Sequence, residues 1–391
     1  MDFFQIKDDE KEYMMNTYGR FNVSIESGKG ATAVDQNGKK YIDFTSGIGV
    51  NSLGYCDEQY INAVTTQLNK VQHFSNLYYN STQVELAKKL CSITGLSKVF
   101  FANSGAEANE CAIKVARKYS FDKYGKERSN IVCLNNSFHG RTITTLSATG
   151  QDVFHNYFFP FNDGFKFGNA NDLQSVVDSI DDTTCAVMIE LIQGEGGVCP
   201  LDKEFVTSLV EHIKERDILL IVDEVQTGVA RTGKMYCYEN YGIVPDILTS
   251  AKGLGGGLPI GACLCADKLK EVMTPSTHGT TYGGNPVVCA GALHVLSVVS
   301  KEEFLQDVVK KGEYIKEQLL KMPNVKDVRG MGLMIGVVLE NGEAKEIAVK
   351  CAEKGLLILT AKTLLRMLPP LNISYKEIDE GLAILKECIV Q

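Results

Sequence analysis

Ile218-Leu-Leu-Ile-Val-Asp-Glu-Val-Gln-Thr-Gly228, with Ile247-Leu-Thr-Ser-Ala-Lys-Gly-Leu-Gly-Gly-Gly-Leu-Pro259 after it, decides how this chain is read. Consecutive apolar residues ending in an acid predict a buried strand with Asp223 at its end. The second apolar run leads into Lys252, set in a glycine-rich turn. Taken singly, each residue has a plain reading: a lysine in a loop is solvated, and an acid after a strand meets water. Taken together they are what pyridoxal phosphate chemistry requires. A lysine amine forms a Schiff base with the cofactor aldehyde, and a carboxylate keeps the pyridine nitrogen protonated so that the ring accepts carbanion electrons.

Outward from this pair, short apolar strands alternate with amphipathic helices. Strands are predicted over 98–102, 130–134, 185–190, 218–222, 247–250 and 260–266. Ala108, Cys111, Ala112, Val115, Ala116 and Tyr119 recur at helical spacing, as do Phe205, Leu209 and Ile213. The alternation implies an α/β fold, a mostly parallel sheet between helices. Beyond residue 300 the texture changes to a smaller α+β unit, with helices over 301–321, 343–354 and 375–389 and strands over 325–339 and 356–360. Asn37-Gly38 is a hairpin signal between 31–34 and 40–44. The expected division is 1–50 as an N-terminal segment joining the small domain, 51–300 as the large cofactor-binding domain, and 301–391 as the small domain.

The bulk numbers set limits. The 391 residues, 44% of them hydrophobic, are enough to bury a sizeable core. A formal net charge of −8 argues against a nucleic-acid surface. No apolar run reaches membrane-spanning length, and the acidic N-terminus lacks a signal peptide's apolar stretch. Most of the twelve cysteines, such as Cys111, Cys133, Cys185, Cys263, Cys265 and Cys289, fall inside apolar stretches and read as small core residues in a reducing compartment. Neither Cys-x-x-Cys nor His-x-x-x-His spacing occurs, so no metal site is expected. A cytoplasmic protein is the expectation.

Other segments supply further candidate contacts. Asn103-Ser-Gly-Ala-Glu107 joins a strand to its helix: Ser104 with Glu107 reads as a capping box, and Gly105 with Ala106 as a phosphate site at a helix N-terminus. In Ser137-Phe-His-Gly-Arg-Thr142, Phe138 reads either as core or as a ring lying against an aromatic cofactor, with Arg141 suited to a carboxylate. Gln193-Gly-Glu-Gly-Gly197 lets Glu195 approach a ligand, or merely turns the loop, and the loop 278–286 offers the hydroxyls of Thr280 and Thr281. Gly228-Val-Ala-Arg-Thr-Gly-Lys-Met235 nearly spells a nucleotide-hydrolase phosphate loop, but Met235 stands where a magnesium-binding hydroxyl is needed.

Together these segments, with Asn16-Thr-Tyr-Gly-Arg20, Asp43-Phe-Thr-Ser-Gly-Ile-Gly-Val-Asn51, Ser75-Asn-Leu-Tyr-Tyr79 and Arg366-Met-Leu-Pro-Pro-Leu371, resemble the class III (ω-amino acid) aminotransferases over nearly the whole chain. The resemblance implies the aspartate aminotransferase-like fold, pyridoxal phosphate fold type I, and ping-pong transfer between amino-acid and keto-acid substrates. It implies N-acetylornithine and 2-oxoglutarate as substrates, in arginine biosynthesis. Ornithine, 4-aminobutyrate, succinylornithine and N-succinyl-diaminopimelate are alternatives, as is a non-catalytic cofactor-binding protein.

By the same resemblance Lys252 is the Schiff-base lysine and Asp223 the pyridinium partner, within a cofactor-binding run Asp223, Glu224, Val225 and Gln226. Gln226 meets the phenolic oxygen, Phe138 stacks on the ring, and Gly105 with Ala106 binds phosphate. Thr281 reaches the phosphate of a neighbouring subunit, with Thr280 beside the substrate, which implies a homodimer with shared active sites. Arg141 takes the carboxylate remote from the reacting amine and Arg366 the α-carboxylate of glutamate. Glu195 pairs with Arg366 when an ω-amine is presented. Ile48 stands where ornithine-specific relatives tend to carry tyrosine, leaving room for an acylated amine; core packing is its other reading. The chain departs from the family pattern at Tyr55-Cys-Asp57.

Overall fold

The computed structural model describes residues 1–389. After a helix at Phe3–Tyr13 come three antiparallel strands, β1 (Ile25–Lys29), β2 (Thr32–Asp35) and β3 (Lys40–Asp43). The expected Asn37-Gly38 turn joins the last two. Gly38 sits at φ +80, and Asp35 Oδ1 accepts from the amides of Asn37 and Lys39.

The central sheet contains β4 (Lys98–Ala102), β5 (Asn130–Leu134), β6 (Phe165–Gly168) and β7 (Thr184–Ile189). A short antiparallel ribbon follows, β8 (Ile192–Gln193) with β9 (Cys199–Pro200). The sheet is completed by β10 (Leu219–Asp223), β11 (Ile247–Ser250) and β12 (Gly261–Cys265). Its order is β4-β12-β11-β10-β7-β5-β6, with β12 antiparallel to both neighbours and the remaining strands running together. Every residue of β10 is buried, as a central parallel strand demands. Leu219 and Ile221 pack in one apolar cluster with Cys111, Ala112 and Val115 of the helix Gly105–Tyr124. Leu220 and Val222 pack in another with Phe205, Leu209 and Ile213 of the helix Lys203–Lys214. The period-2 alternation of one strand thus assigns a helix layer to each face.

In the C-terminal part, β13 (Val325–Met331) and β14 (Met334–Leu339) form a hairpin where the sequence predicts one strand over 325–339. Gly332, at φ +54, makes the turn. A side chain there would meet the backbone of Arg231 and Thr232 at 2.7 Å. The strand expected over 356–360 is likewise two, β15 (Leu356–Leu357) and β16 (Leu359–Ala361). The first pairs parallel to β3, and the second pairs with β17 (Leu364–Met367). β15 therefore ties the C-terminal part to the N-terminal sheet. No helix among the described residues is long and apolar enough to cross a membrane.

Candidate active site

The parallel strands point their carboxyl ends to one edge, so the segments after Ala102, Leu134, Ile189, Asp223 and Ser250 converge there. Crevices at the carboxyl ends of such strands are where ligands bind in open α/β sheets. A cavity of about 450 Å³ occupies the place, lined by Ser104, Gly105, Ala106, Phe138, Arg141, Glu190, Asp223, Val225, Gln226 and Lys252 among others.

Asp223 closes one wall. Only 4% exposed, its Oδ2 accepts from Asn109 Nδ2 at 2.7 Å and His139 Nδ1 at 2.8 Å, while Oδ1 accepts from the Val225 amide at 3.0 Å. Burial alone would lower the His139 pKa. The hydrogen bond and charge of Asp223, with the charge of Glu190, outweigh it and hold it above the ordinary value. The imidazole and the Asn109 amide thus give the Asp223 carboxylate hydrogen-bond partners in a water-poor place, where unpaired carboxylates are costly.

Lys252 stands on the same cavity with its backbone at φ +42, a conformation uncommon for non-glycine residues. Burial lowers its amine pKa and Arg366 adds to this, against the opposing charges of Glu195, Asp223 and Glu190. The result is a lysine biased toward the neutral, nucleophilic form.

Opposite them the helix Gly105–Tyr124 begins. Ser104 Oγ accepts from the Glu107 amide at 3.2 Å, and Glu107 Oε2 reaches back to the Asn103 amide at 2.6 Å, so the cap is built. A Cβ on Gly105 would stand 2.6 Å from Val225 Cγ1, so only glycine lets the helix start approach the segment after β10. The first amides of the helix face the cavity without intrahelical acceptors. The Phe138 amide donates to Glu190 Oε2 at 2.9 Å, and the exposed Arg141 lies over the rings of Phe138 and Phe154.

Arg366, 3% exposed, reaches in from β17. Its Nη1 donates to Glu195 Oε1 at 2.6 Å and to Gln226 Oε1 at 3.2 Å, while Nε has no acceptor among the described residues. Glu195 sits on the loop between β8 and β9. Its burial would raise the carboxyl pKa, but Arg366 holds it below the ordinary value. Gln226 thus belongs to both the cavity wall and the Arg366 cluster.

Four positions stand elsewhere. The Glu224 carboxylate is fully buried and caps the Cys237 and Tyr238 amides at 2.9 and 2.8 Å, away from the cavity lining. Thr280 and Thr281 line a second cavity of about 540 Å³ with Ser75, Asn76 and Leu77; Thr280 Oγ1 accepts from Asn103 Nδ2, at the rear of the helix start. Ile48 is 44% exposed at φ +66, which removes its core-packing reading, and Val50 beyond it lines the first cavity. Sequence reasoning assigned no role to Asn109, His139 or Glu190. The available signals were His139 directly after Phe138, Asn109 one turn into the helix from Gly105, and an acid directly after β7, near where Asp223 ends β10.

The aminotransferase class-III family pattern matches residues 13–389. An acetylornithine aminotransferase of Haemophilus ducreyi is 50% identical over 387 residues, 98% of each chain. One of Caldanaerobacter subterraneus subsp. tengcongensis is 47% identical over 97% of this chain and 98% of its own. Among solved structures, the ornithine aminotransferase of Toxoplasma gondii superposes with a TM-score of 0.95 at 30% identity, covering 100% of this chain and 95% of that one. Another structure of the Toxoplasma gondii enzyme is described with partial occupancy of pyridoxal phosphate at its active site. The N-acetylornithine aminotransferase of Stenotrophomonas maltophilia gives 0.85 at 33% identity over 98% of each chain.

Proposed function

From the premise that this chain belongs to the class III aminotransferases, we propose that it transfers the δ-amine of N-acetylornithine to 2-oxoglutarate, forming N-acetylglutamate semialdehyde and glutamate. The class uses pyridoxal phosphate, acts on amino and keto acids, and has the fold type I architecture found here. The residues of the cavity fit that cofactor. A glycine-cleared helix start suits a phosphate, a carboxylate with two side-chain donors suits a pyridinium, and a half-buried lysine with a lowered pKa suits an aldehyde. The observation that carries the reading is that Lys252 and the doubly supported Asp223 line one cavity.

When bound, pyridoxal phosphate supplies an aldehyde that condenses with amines and a protonated ring that accepts the electron pair left at the substrate carbon. Gly105 and Ala106 would hold the phosphate at the helix start, Phe138 would flank the ring, and Gln226 would donate to its phenolic oxygen. Asp223 would hold the ring-nitrogen proton, with His139 and Asn109 fixing its carboxylate in place. With the cofactor in place, Lys252 Nζ would take the proton from the substrate δ-carbon and give it back within the same half-reaction. Arg141 binds the carboxylate of N-acetylornithine at the mouth. Glu195 occupies Arg366 in that half-reaction and yields it to the α-carboxylate of glutamate or 2-oxoglutarate in the other. The exposed, untyrosined Ile48 turn supports an acylated amine over free ornithine.

Thr281 would complete the phosphate site of a second copy, with Thr280 beside its substrate, which makes the working form a homodimer. The second cavity and the solvent-facing Leu77, Tyr78 and Tyr79 beside it support this. The division at residues 50 and 300 belongs to the same reading, as does a cytoplasmic location, which twelve free thiols support. The deciding experiment adds N-acetylornithine, without keto acid, to the holoenzyme and records its absorbance. Rapid loss of the visible cofactor band with release of the semialdehyde is expected. A band that yields only to free ornithine, 4-aminobutyrate or a succinylated amine replaces the substrate, and one that yields to none leaves a non-catalytic binder.

A further inference from the structure

The stretch Gly228–Met235 that imitates a phosphate loop does something else in this fold. It is followed by a turn that reaches only the four-residue helix Tyr238–Tyr241, and its Arg231 is 2% exposed. The Arg231 guanidinium is spent on three separated parts of the chain. Nη1 donates to the carbonyls of Leu333 at 3.1 Å and Pro369 at 2.6 Å, and Nη2 to Ser46 Oγ at 3.4 Å. Ser46 Oγ in turn donates to the Leu368 carbonyl at 2.6 Å, and the Leu333 amide donates back to the Arg231 carbonyl at 3.0 Å. Burial works against the guanidinium charge, and the nearby Asp43 carboxylate works for it. Gly332 leaves no room at this joint, since any side chain there meets the Arg231 carbonyl.

These ties bracket Arg366. Leu333 precedes β14, whose Gly336 pairs with Arg366 across the sheet, and Leu368 and Pro369 lie directly beyond β17. The loop that carries Arg231 also carries Gln226, which accepts from Arg366 Nη1. The segment after β10 therefore grips the strand of Arg366 at two points, one inside the site and one behind it. A planar fork with several donors can hold carbonyls from separate segments in fixed relation, and a lysine ammonium on a flexible stem holds them poorly.

We propose that Arg231, with Ser46, is the positioning device that sets Arg366 at the depth where it meets the α-carboxylate of the five-carbon dicarboxylic substrate. It thereby fixes specificity for the second half-reaction and leaves the first largely alone. The inference rests on the reading that Arg366 binds that carboxylate. N-acetylornithine places its own carboxylate at Arg141, on an element the joint does not touch, so displacement of Arg366 separates the two substrates.

The test uses holoenzyme carrying Arg231→Lys, Ser46→Ala or, as reference, Arg366→Ala. Glutarate, a dicarboxylate with no amine to transfer, is titrated calorimetrically, and the two half-reactions are followed separately. Loss of one or two hydrogen bonds to a charged group predicts about tenfold weaker glutarate binding for Arg231→Lys and about threefold for Ser46→Ala. KM for 2-oxoglutarate should rise in parallel while kcat and the N-acetylornithine half-reaction change less than about twofold. Ser46→Ala buries no new charge, so it decides the matter should Arg231→Lys fold poorly. Wild-type glutarate binding in folded, cofactor-loaded Ser46→Ala and Arg231→Lys overturns the proposal, as do equal losses in both half-reactions, which mark a general structural role. Wild-type glutarate binding in Arg366→Ala overturns instead the reading of Arg366 on which it rests.

Discussion

Glu195→Gln isolates the charge proposed to stand in for a substrate carboxylate. Glu195 Oε1 lies 2.6 Å from Arg366 Nη1, Arg366 is 3% exposed, and its Nε has no acceptor among the described residues. Two unit charges about 4 Å apart at an effective dielectric of 20 attract by about 4 kcal/mol. The Glu195 side chain keeps 30% of its exposure, so solvent screening reduces this to about 1–3 kcal/mol. Glutamine retains an acceptor and drops the charge. With glutamate bound, the substrate's own carboxylate repairs the loss. With N-acetylornithine bound, nothing does, and the buried guanidinium is left short of a counter-charge. At about 1.36 kcal/mol per factor of ten, the ratio of kcat/KM for N-acetylornithine to that for glutamate should fall by a factor between about 5 and about 150. Glu195→Ala, which removes the acceptor as well, should shift it further the same way. Rapid-mixing absorbance of each half-reaction in single turnover measures both terms. Equal losses with the two substrates, or a larger loss with glutamate, refute the switch.

Asp223→Ala removes the carboxylate supported by His139 and Asn109 and should slow both half-reactions by roughly 10²–10³-fold or more, read as kcat with cofactor content verified. Gly105→Ala drives a methyl against Val225 at 2.6 Å, an overpacking worth about 1–3 kcal/mol, and should weaken cofactor retention on dialysis about tenfold. The pH dependence of stability should carry the signature of Lys252. Its folded pKa is lowered by burial from 10.5, so the unfolded chain binds the proton more tightly. Stability of the cofactor-free protein therefore rises with pH from the folded-state pKa up to 10.5. Lys252→Met should flatten that rise in urea midpoints measured across this range, and a wild-type profile indistinguishable from the variant's would contradict the lowered amine.

Much of this protein was legible before any coordinates. Runs such as Leu219–Val222 announce a two-faced buried strand because apolar residues there have nowhere else to go, and the same local rule exposes the strands ending at Ala102, Leu134, Ile189 and Ser250. Since ligands gather at such ends, the residues just beyond them, Gly105, Phe138, Gln226 and Lys252 included, were candidates from the chain alone, and the fold brings these onto one cavity. Local periodicity misjudged the stretch 325–339, where a glycine at positive φ turns one apparent strand into two.

What the linear chain could not reveal is who partners whom. Asp223 is joined to His139 and Asn109 across 84 and 114 positions, Arg366 to Glu195 across 171, and Arg231 to Ser46 across 185. Neither helical nor strand spacing carries information over such separations. Those contacts follow from the order of the strands and the seating of the C-terminal sheet, and both are set by the packing of whole layers. The sequence by itself determined the class of fold and the kinds of chemistry placed at its strand ends. Tertiary structure alone decided that Glu224 turns inward to cap a turn, that Ile48 faces solvent, and that a look-alike phosphate loop serves as a joint, because those outcomes depend on which distant surface each side chain meets.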